Sequence, residues 1–427
     1  MDIIIHRGTS QIGGCVTEIR SGNDRIIIDF GSNLQGTPSH EFSDNEILKI
    51  TEHANAILYT HYHGDHVGLL SKVAEGVEQY IGEGALTVLK CKDEALQEAS
   101  ENALKKGNID IAEKLNREEE LKLLKKMNTF NAEDTLPFGA ITVTPYFCSH
   151  SAFDSYMFLI ECEGKKILHT GDFREHGYLG KGLHKLIPVK IGQVDALIIE
   201  GTMLGRNVEN VLHEVEIKRN VEHLLVQDNK FKHLFALCSS TDIDRLASFH
   251  MACKERDGWL VCDKYQKQVL DIFTERAGQF SNLFKFDRVK VLGEDNNFFD
   301  EIRQTGFVML IRTSMHDMMK KVMYYFPDAE LIYSMWHGYY AGTKEQINKN
   351  VVDIINEFPN SKLHEIHTSG HASISTLSEV IRLTNPRRAI IPIHRDKDSD
   401  LSLLQISDEQ RNKIFLDSNS NSIEISI

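Results

Sequence analysis

The hexapeptide His61-Tyr62-His63-Gly64-Asp65-His66 constrains this chain more than any other stretch. Three imidazoles and a carboxylate fall within six residues, directly after Ala56 to Thr60, which reads as a short strand. Two residues apart on an extended chain, His61 and His63 point to the same side. Gly64 permits a tight turn, so Asp65 and His66 can stand at the start of a helix and face a second centre. Imidazole with carboxylate is the donor set of catalytic zinc sites. Such a cluster calls for a fold that brings further ligands to the same place. A plain surface histidine cluster is the alternative, and the dense pattern argues against it.

Further donors stand at other strand ends. His150 follows Tyr146-Phe147-Cys148-Ser149, Asp172 stands in His169-Thr170-Gly171-Asp172-Phe173, and Asp29 closes Ile26-Ile27-Ile28. Each alone reads more readily as structural. Together they reach the ligand count of a dinuclear site, with Asp172 placed to bridge and Asp29 to orient a ligand from behind.

The remaining sequence sets the frame. The 427 residues suggest two or three domains, and 41% hydrophobic with 26% charged residues is ordinary for a globular chain. The net charge of −14 argues against a protein that coats nucleic acid electrostatically, though not against a local groove or metals that hold phosphate. Seven cysteines without a Cys-x-x-Cys pair read as reduced thiols and a cytoplasmic location. No signal peptide and no membrane span is expected. Residues 1–200 are rich in strand patterns, with one charged helix expected at 93–128. Strands then alternate with helices, the signature of a parallel sheet, and helices are expected at 343–357 and 373–384.

Taken in order, Asp29, His61, His63, Asp65, His66, His150 and Asp172 resemble the pattern of the metallo-β-lactamase fold superfamily. Glu200-Gly201-Thr202, Ser369-Gly370-His371-Ala372 and Pro392-Ile393-His394 look like the three extra motifs of its β-CASP nucleases, ribonuclease J in particular. Ser239-Ser240-Thr241-Asp242-Ile243-Asp244-Arg245 resembles the start of their cap domain, and Arg7-Gly8-Thr9 through Ile12-Gly13-Gly14 their first strand and turn. The resemblance implies an α/β fold: an αββα metallo-β-lactamase sandwich at 1–200, an inserted α/β β-CASP cap at 201–342, and the closing part of the sandwich at 343–427. This chain departs from the family in reading His394-Arg395-Asp396 for His-Gly-Glu and Glu200-Gly201-Thr202 for an Asp-Ser-Thr-like motif. The end of the chain soon after His394 carries the expectation that the extra C-terminal domain of ribonuclease J is absent.

The implied activity is metal-dependent hydrolysis of RNA, with hydroxide held between two zinc ions attacking phosphorus. Manganese also suits such a site. The resemblance implies that His61, His63 and His150 hold one ion, that Asp65, His66 and His394 hold the other, and that Asp172 bridges. Asp65, His371, Glu200 and Asp29 form the expected catalytic set, with His371 as proton donor or phosphate contact. Ser369, Gly370, His371 and Ala372 are expected at one phosphate, and Ser239, Ser240 and Arg245 at a neighbouring one. Arg387, Arg388 and Arg395 read as a local basic patch or as a solvated loop, and Trp336 to Tyr340 as aromatics that stack on bases or that pack in the core or anchor a loop. The expected partner is single-stranded RNA with a 5′-monophosphate, without a membrane; a homodimer is compatible with this reading. The rivals are a DNA-processing nuclease of the same group and a small-molecule hydrolase of the same fold. A non-catalytic relative would be expected to have lost ligands.

Overall fold

Isoleucine runs open the chain because they are buried on both faces of a sheet: Ile3 to Ile5 and Ile26 to Ile28 are all inaccessible or nearly so. The computed structural model describes residues 1–34, 36, 40–206, 211–227, 230–293, 298–416 and 423–427. The chain divides into two compact units, Met1–Glu209 with Gly370–Ile427, and Asn210–Ser369.

The first unit holds two sheets. One has the strand order Ile423–Ser426, Asp2–Arg7, Val16–Ser21, Asp24–Ile28, Ala56–Leu58, Glu78–Gly82, Asn128–Phe130. It is antiparallel up to Asp24–Ile28 and parallel beyond. Its register sets Ile19 opposite both Ile3 and Ile26. The other sheet runs Ala389–Ile393, Ala196–Glu200, Lys165–His169, Ser155–Cys162, Ile141–Cys148, Leu136–Phe138, its first three strands parallel. Side chains from both inner faces, among them Ile5, Ile28, Phe158, Ile198 and Ile391, form one core. On the far side of the second sheet, Leu168, Leu197 and Ile199 meet Leu377, Val380 and Ile381 of the helix Ile374–Thr384. That helix starts where Ser373 accepts from the Thr376 N–H, and it stops at Asn385, in the left-handed conformation. The helix Glu83–Lys105 packs on the far strands of the first sheet. The layers therefore run helix, sheet, sheet, helix, as an αββα sandwich requires.

The stretch expected as one helix at 93–128 forms three: Glu83–Lys105, Ile109–Leu115 and Glu118–Leu124. Gly107, with φ of +77°, turns the chain after the first, and Asn116 leaves helical geometry after the second.

The second unit is a parallel six-stranded sheet ordered Val289–Val291, Trp259–Cys262, Phe307–Ile311, His233–Cys238, Glu330–Ser334, Leu363–Glu365. Val226–Gln227 and Lys230–Phe231 form a separate antiparallel pair. Phe235, Phe307, Met309 and Leu331 pack against Ile302, Met319, Val322 and Ile354 from the flanking helices. Residues 343–369, grouped by sequence with the closing segment, contribute Val351, Ile354, Phe358 and an edge strand to this unit. The expected helix at 343–357 is shorter, Lys349–Ile355, because Asn348 caps it by accepting from the Asn350 and Val351 N–H groups. No helix among the described residues is long and apolar enough to cross a membrane.

Candidate metal centre

The ligating residue types collect at the carboxyl ends of strands in the first unit, where open sheets place their sites. Asp29 follows Asp24–Ile28, the histidine cluster follows Ala56–Leu58, and His150 follows Ile141–Cys148. Asp172 follows Lys165–His169, Glu200 closes its strand, and His394 follows Ala389–Ile393. Asp29 and His394 have φ of +60° and +51°, a conformation that non-glycine side chains adopt at a cost and only when neighbours hold them. Asp29 is held by its N–H to the Leu58 carbonyl (2.9 Å), and the Thr60 N–H donates to its carboxylate (2.8 Å).

Backbone bonds seat the turn after His63. Cys15 N–H donates to Asp65 O, Phe30 N–H to His66 O and Ser32 N–H to Gly64 O. The fit leaves no room for a side chain at position 31, where a Cβ would come 1.7 Å from Asp65 O. Arg7 donates to the carbonyls of Gly14 and Gly31, tying the opening glycine turn to this floor.

Among the described residues, four groups have donor atoms within 4.8 Å of one another: His61, His63 and His150; Asp65, His66 and His394; His61, His66 and Asp172; and Asp172, Glu200, His371 and His394. His150 Nε2 lies 3.2 Å from His63 Nδ1. His394 Nε2 lies 3.1 Å from Asp65 Oδ2 and 3.5 Å from Asp172 Oδ2, and His66 Nε2 lies 3.2 Å from that same oxygen. Two donors on one tetrahedral ion at about 2.0–2.1 Å stand about 3.3 Å apart, so these spacings suit a shared cation. His61 Nε2 is buried and has no hydrogen-bond partner among the described residues, as a nitrogen that would hold a cation requires. Thr60 Oγ1 backs the same ring at Nδ1 (3.0 Å).

Electrostatics sort the imidazoles into two kinds. Burial pulls His63 down to about 4 and holds His61 and His150 well below the ordinary histidine value, so all three offer bare nitrogens. Burial also opposes charge on His66 and His394, but Asp172, Asp29 and Asp65 outweigh it at His66, and Asp172 and Asp65 at His394, so both are raised. Burial likewise opposes ionisation of Asp65 and Asp172, and the facing imidazoles overcome it and hold both carboxyls below their usual range. Neutral imidazoles beside ionised carboxylates are the donor chemistry of a divalent transition-metal site.

Other residues act through these. Asp29 receives the His66 Nδ1 at 2.8 Å and the Thr60 hydroxyl at 2.9 Å. Glu200 accepts from the N–H groups of Ala372 (3.0 Å) and Thr202 (3.3 Å) and faces His371 Nδ1 at 3.2 Å. Asp29 and Glu200 stand in the expected catalytic set, but both are fully buried and hold other groups in place. His371 is 17% exposed and lies 3.6 Å from Asp172 Oδ2. Gly370 O meets His150 Nδ1 at 2.7 Å.

Several phosphate assignments change. Ala372 is buried with its N–H committed to Glu200, so it cannot also cradle a phosphate. Arg245 is 1% exposed; its guanidinium donates to Glu214, Ser334 and the Thr368 carbonyl inside the second unit and is closed to substrate. Arg395 is buried too, donating to the carbonyls of Asp396 and Lys397, and Arg387 lies 3.6 Å from Asp195. Arg387 and Arg388 stay exposed, so only Arg395 is withdrawn from the expected patch. Ser239, Ser240 and Ser369 belong to the second unit, where Ser240 meets the Tyr265 hydroxyl at 3.4 Å. Trp336 packs edge-on against Tyr339, and Tyr340 against Tyr333.

Sequence reasoning gave Thr202 no role. Its hydroxyl stands 2.7 Å from His394 Nδ1, 3.1 Å from His394 O and 3.2 Å from His371 Nδ1. The Glu200-Gly201-Thr202 motif marks its position, but its partners lie 192 and 169 residues away and are hidden in the sequence.

The chain is similar to known proteins in part of its sequence and in its fold. Residues 24–226 match the family model of the beta-lactamase superfamily domain, a stretch that contains Asp29, His150, Asp172 and Glu200 and all of the cluster at 61–66. The domain and the His/Asp clusters together suggest a metallohydrolase. The whole chain is similar in fold to a crystal structure of a protein of unknown function from Enterococcus faecalis V583, at 15% identity, with 99% of each chain covered and a TM-score of 0.70.

Proposed function

We propose that this chain is a metal-dependent phosphodiesterase of the β-CASP type that hydrolyses RNA. The observation that carries the proposal is Asp172, whose Oδ2 faces His66, His150, His371 and His394 at 3.2 to 4.0 Å. On this reading His61, His63 and His150 would hold one cation and Asp65, His66 and His394 a second, with Asp172 available to both. When bound, zinc or manganese supplies charge to a phosphate oxygen and a water of lowered pKa.

The chain's own residues do the rest. His371 is partly open and backed by Glu200 at Nδ1, so it can hold a proton at Nε2 and pass it to a leaving oxygen. Glu200 keeps the ring oriented while also fixing the backbone at Ala372 and Thr202. The Ser-Gly-His-Ala and Pro-Ile-His motifs support the RNA reading by resemblance. An inserted unit with its own parallel sheet and core supports a macromolecular substrate over a small one that loops could enclose.

The test is hydrolysis of single-stranded RNA with a 5′-monophosphate, labelled at its 5′ end, beside the same sequence as DNA, with zinc or manganese supplied. Labelled mononucleotide from RNA, lost in Asp65→Ala, is the expected result. Preference for DNA would move the protein to the DNA-processing branch. No cleavage of either, with hydrolysis of a lactone or thioester panel, would overturn the nuclease reading.

A further inference from the structure

We infer that Thr202 is a positioning residue whose single hydroxyl selects the nitrogen that His394 presents to the metal centre. The inference rests on the metal reading above. Glu200 and Gly201 lead Thr202 into a short 3-10 turn, and the side chain is fully buried. Three polar atoms meet its oxygen: His394 Nδ1, His394 O and His371 Nδ1.

A hydroxyl has one proton to donate and two lone pairs to accept with. The His394 carbonyl can only accept, so the Thr202 proton goes there. His394 Nδ1, at 2.7 Å, must then be the donor in its own contact. Nε2 is the nitrogen that faces Asp65 and Asp172, and with the proton on Nδ1 fixed in place a bound cation would take the position of the Nε2 proton. The second lone pair is left for His371 Nδ1, which also faces Glu200. One hydroxyl therefore keeps Nε2 of His394 as the ligand atom and directs Nδ1 of His371 inward, away from substrate. It also braces the left-handed backbone of His394 through the carbonyl. Outer contacts of this kind orient ligating imidazoles and raise metal affinity.

Thr202→Val removes the hydroxyl at nearly constant volume, and Thr202→Ser keeps it. Wild type and both variants would be titrated with zinc against a chromophoric chelator, with folding followed by circular dichroism. Thr202→Val is expected to bind one equivalent about 10- to 100-fold more weakly, with Thr202→Ser close to wild type. In zinc-loaded, 15N-labelled wild type, His394 is expected to carry its proton on Nδ1. Wild-type affinity in Thr202→Val, or a His394 proton on Nε2, would overturn the inference. If Thr202→Val fails to fold, a loss of affinity in Thr202→Ser would overturn it, because the hydroxyl is still there. Wild type that binds neither zinc nor manganese would instead overturn the metal reading beneath it.

Discussion

Each unit buries a charged cluster beyond the carboxyl ends of its strands, and the two clusters differ in one respect. In the second unit, Arg245 is saturated: Glu214, Ser334, Thr368 and the neighbouring His367 meet its guanidinium, and Ser248 also donates to Glu214. In the first unit, imidazole nitrogens and carboxylate oxygens face a common space, and His61 Nε2 has no partner. Burial of charge is common to both. Only the cluster with donors left facing one another can take a ligand. The saturated one fixes how the strand ends and the helix Ile243–Glu255 pack.

The comparison breaks most visibly at Asp172. Asp172→Ala should lower phosphodiester hydrolysis about 10³-fold or more, the several kcal/mol that metal charge stabilisation supplies, while the chain stays folded. Steady-state rates with circular dichroism check it. Arg245→Met should do the opposite. Zinc binding stays, but stability falls by about 3–5 kcal/mol because Glu214 is left buried without the guanidinium that balances its charge. Arg245→Met with Glu214→Leu should regain most of that loss, read by urea unfolding. If Arg245→Met instead weakened zinc binding and spared stability, the contrast between the clusters would fall.

A smaller effect tests the support behind a ligand. Asp29→Asn keeps the shape but weakens the acceptor for His66 Nδ1, so zinc affinity should drop about 10- to 100-fold. The least effect belongs to a second saturated cluster, in the first unit. Burial opposes ionisation of Glu18, but hydrogen bonds from His6, Arg25 and Arg20 outweigh it and hold it at about 2, against an ordinary 4.5. A depressed carboxylate contributes stability that is full above about 4.5 and is lost as pH falls through about 2. Glu18→Gln should flatten the acid limb of stability between those values, measured by denaturant unfolding against pH.

The candidate donors were legible where they are contiguous. His61 to His66 declare themselves because strand, turn and helix start follow within six residues, and glycine marks the turn. Asp29, His150, Asp172 and His394 were legible as strand ends in order. What the sequence hid depends on distant partners. Arg245 reads like a phosphate ligand because nothing local reveals Glu214, 31 residues away. Ala372 reads like an open helix start because Glu200, 172 residues away, takes its N–H. The boundary at Gly370 was hidden for the same reason: Val351 and Phe358 have the apolar pattern of either core, and only the packing assigns them.

The central claim is that Asp172 stands between two cation sites. Wild type and Asp172→Ala, loaded with zinc and freed of excess by gel filtration, would be measured for metal content by mass spectrometry. The account predicts close to two ions per chain in the wild type and fewer than one in the variant. A wild type that retains none, or a variant that retains as much as the wild type, would contradict it.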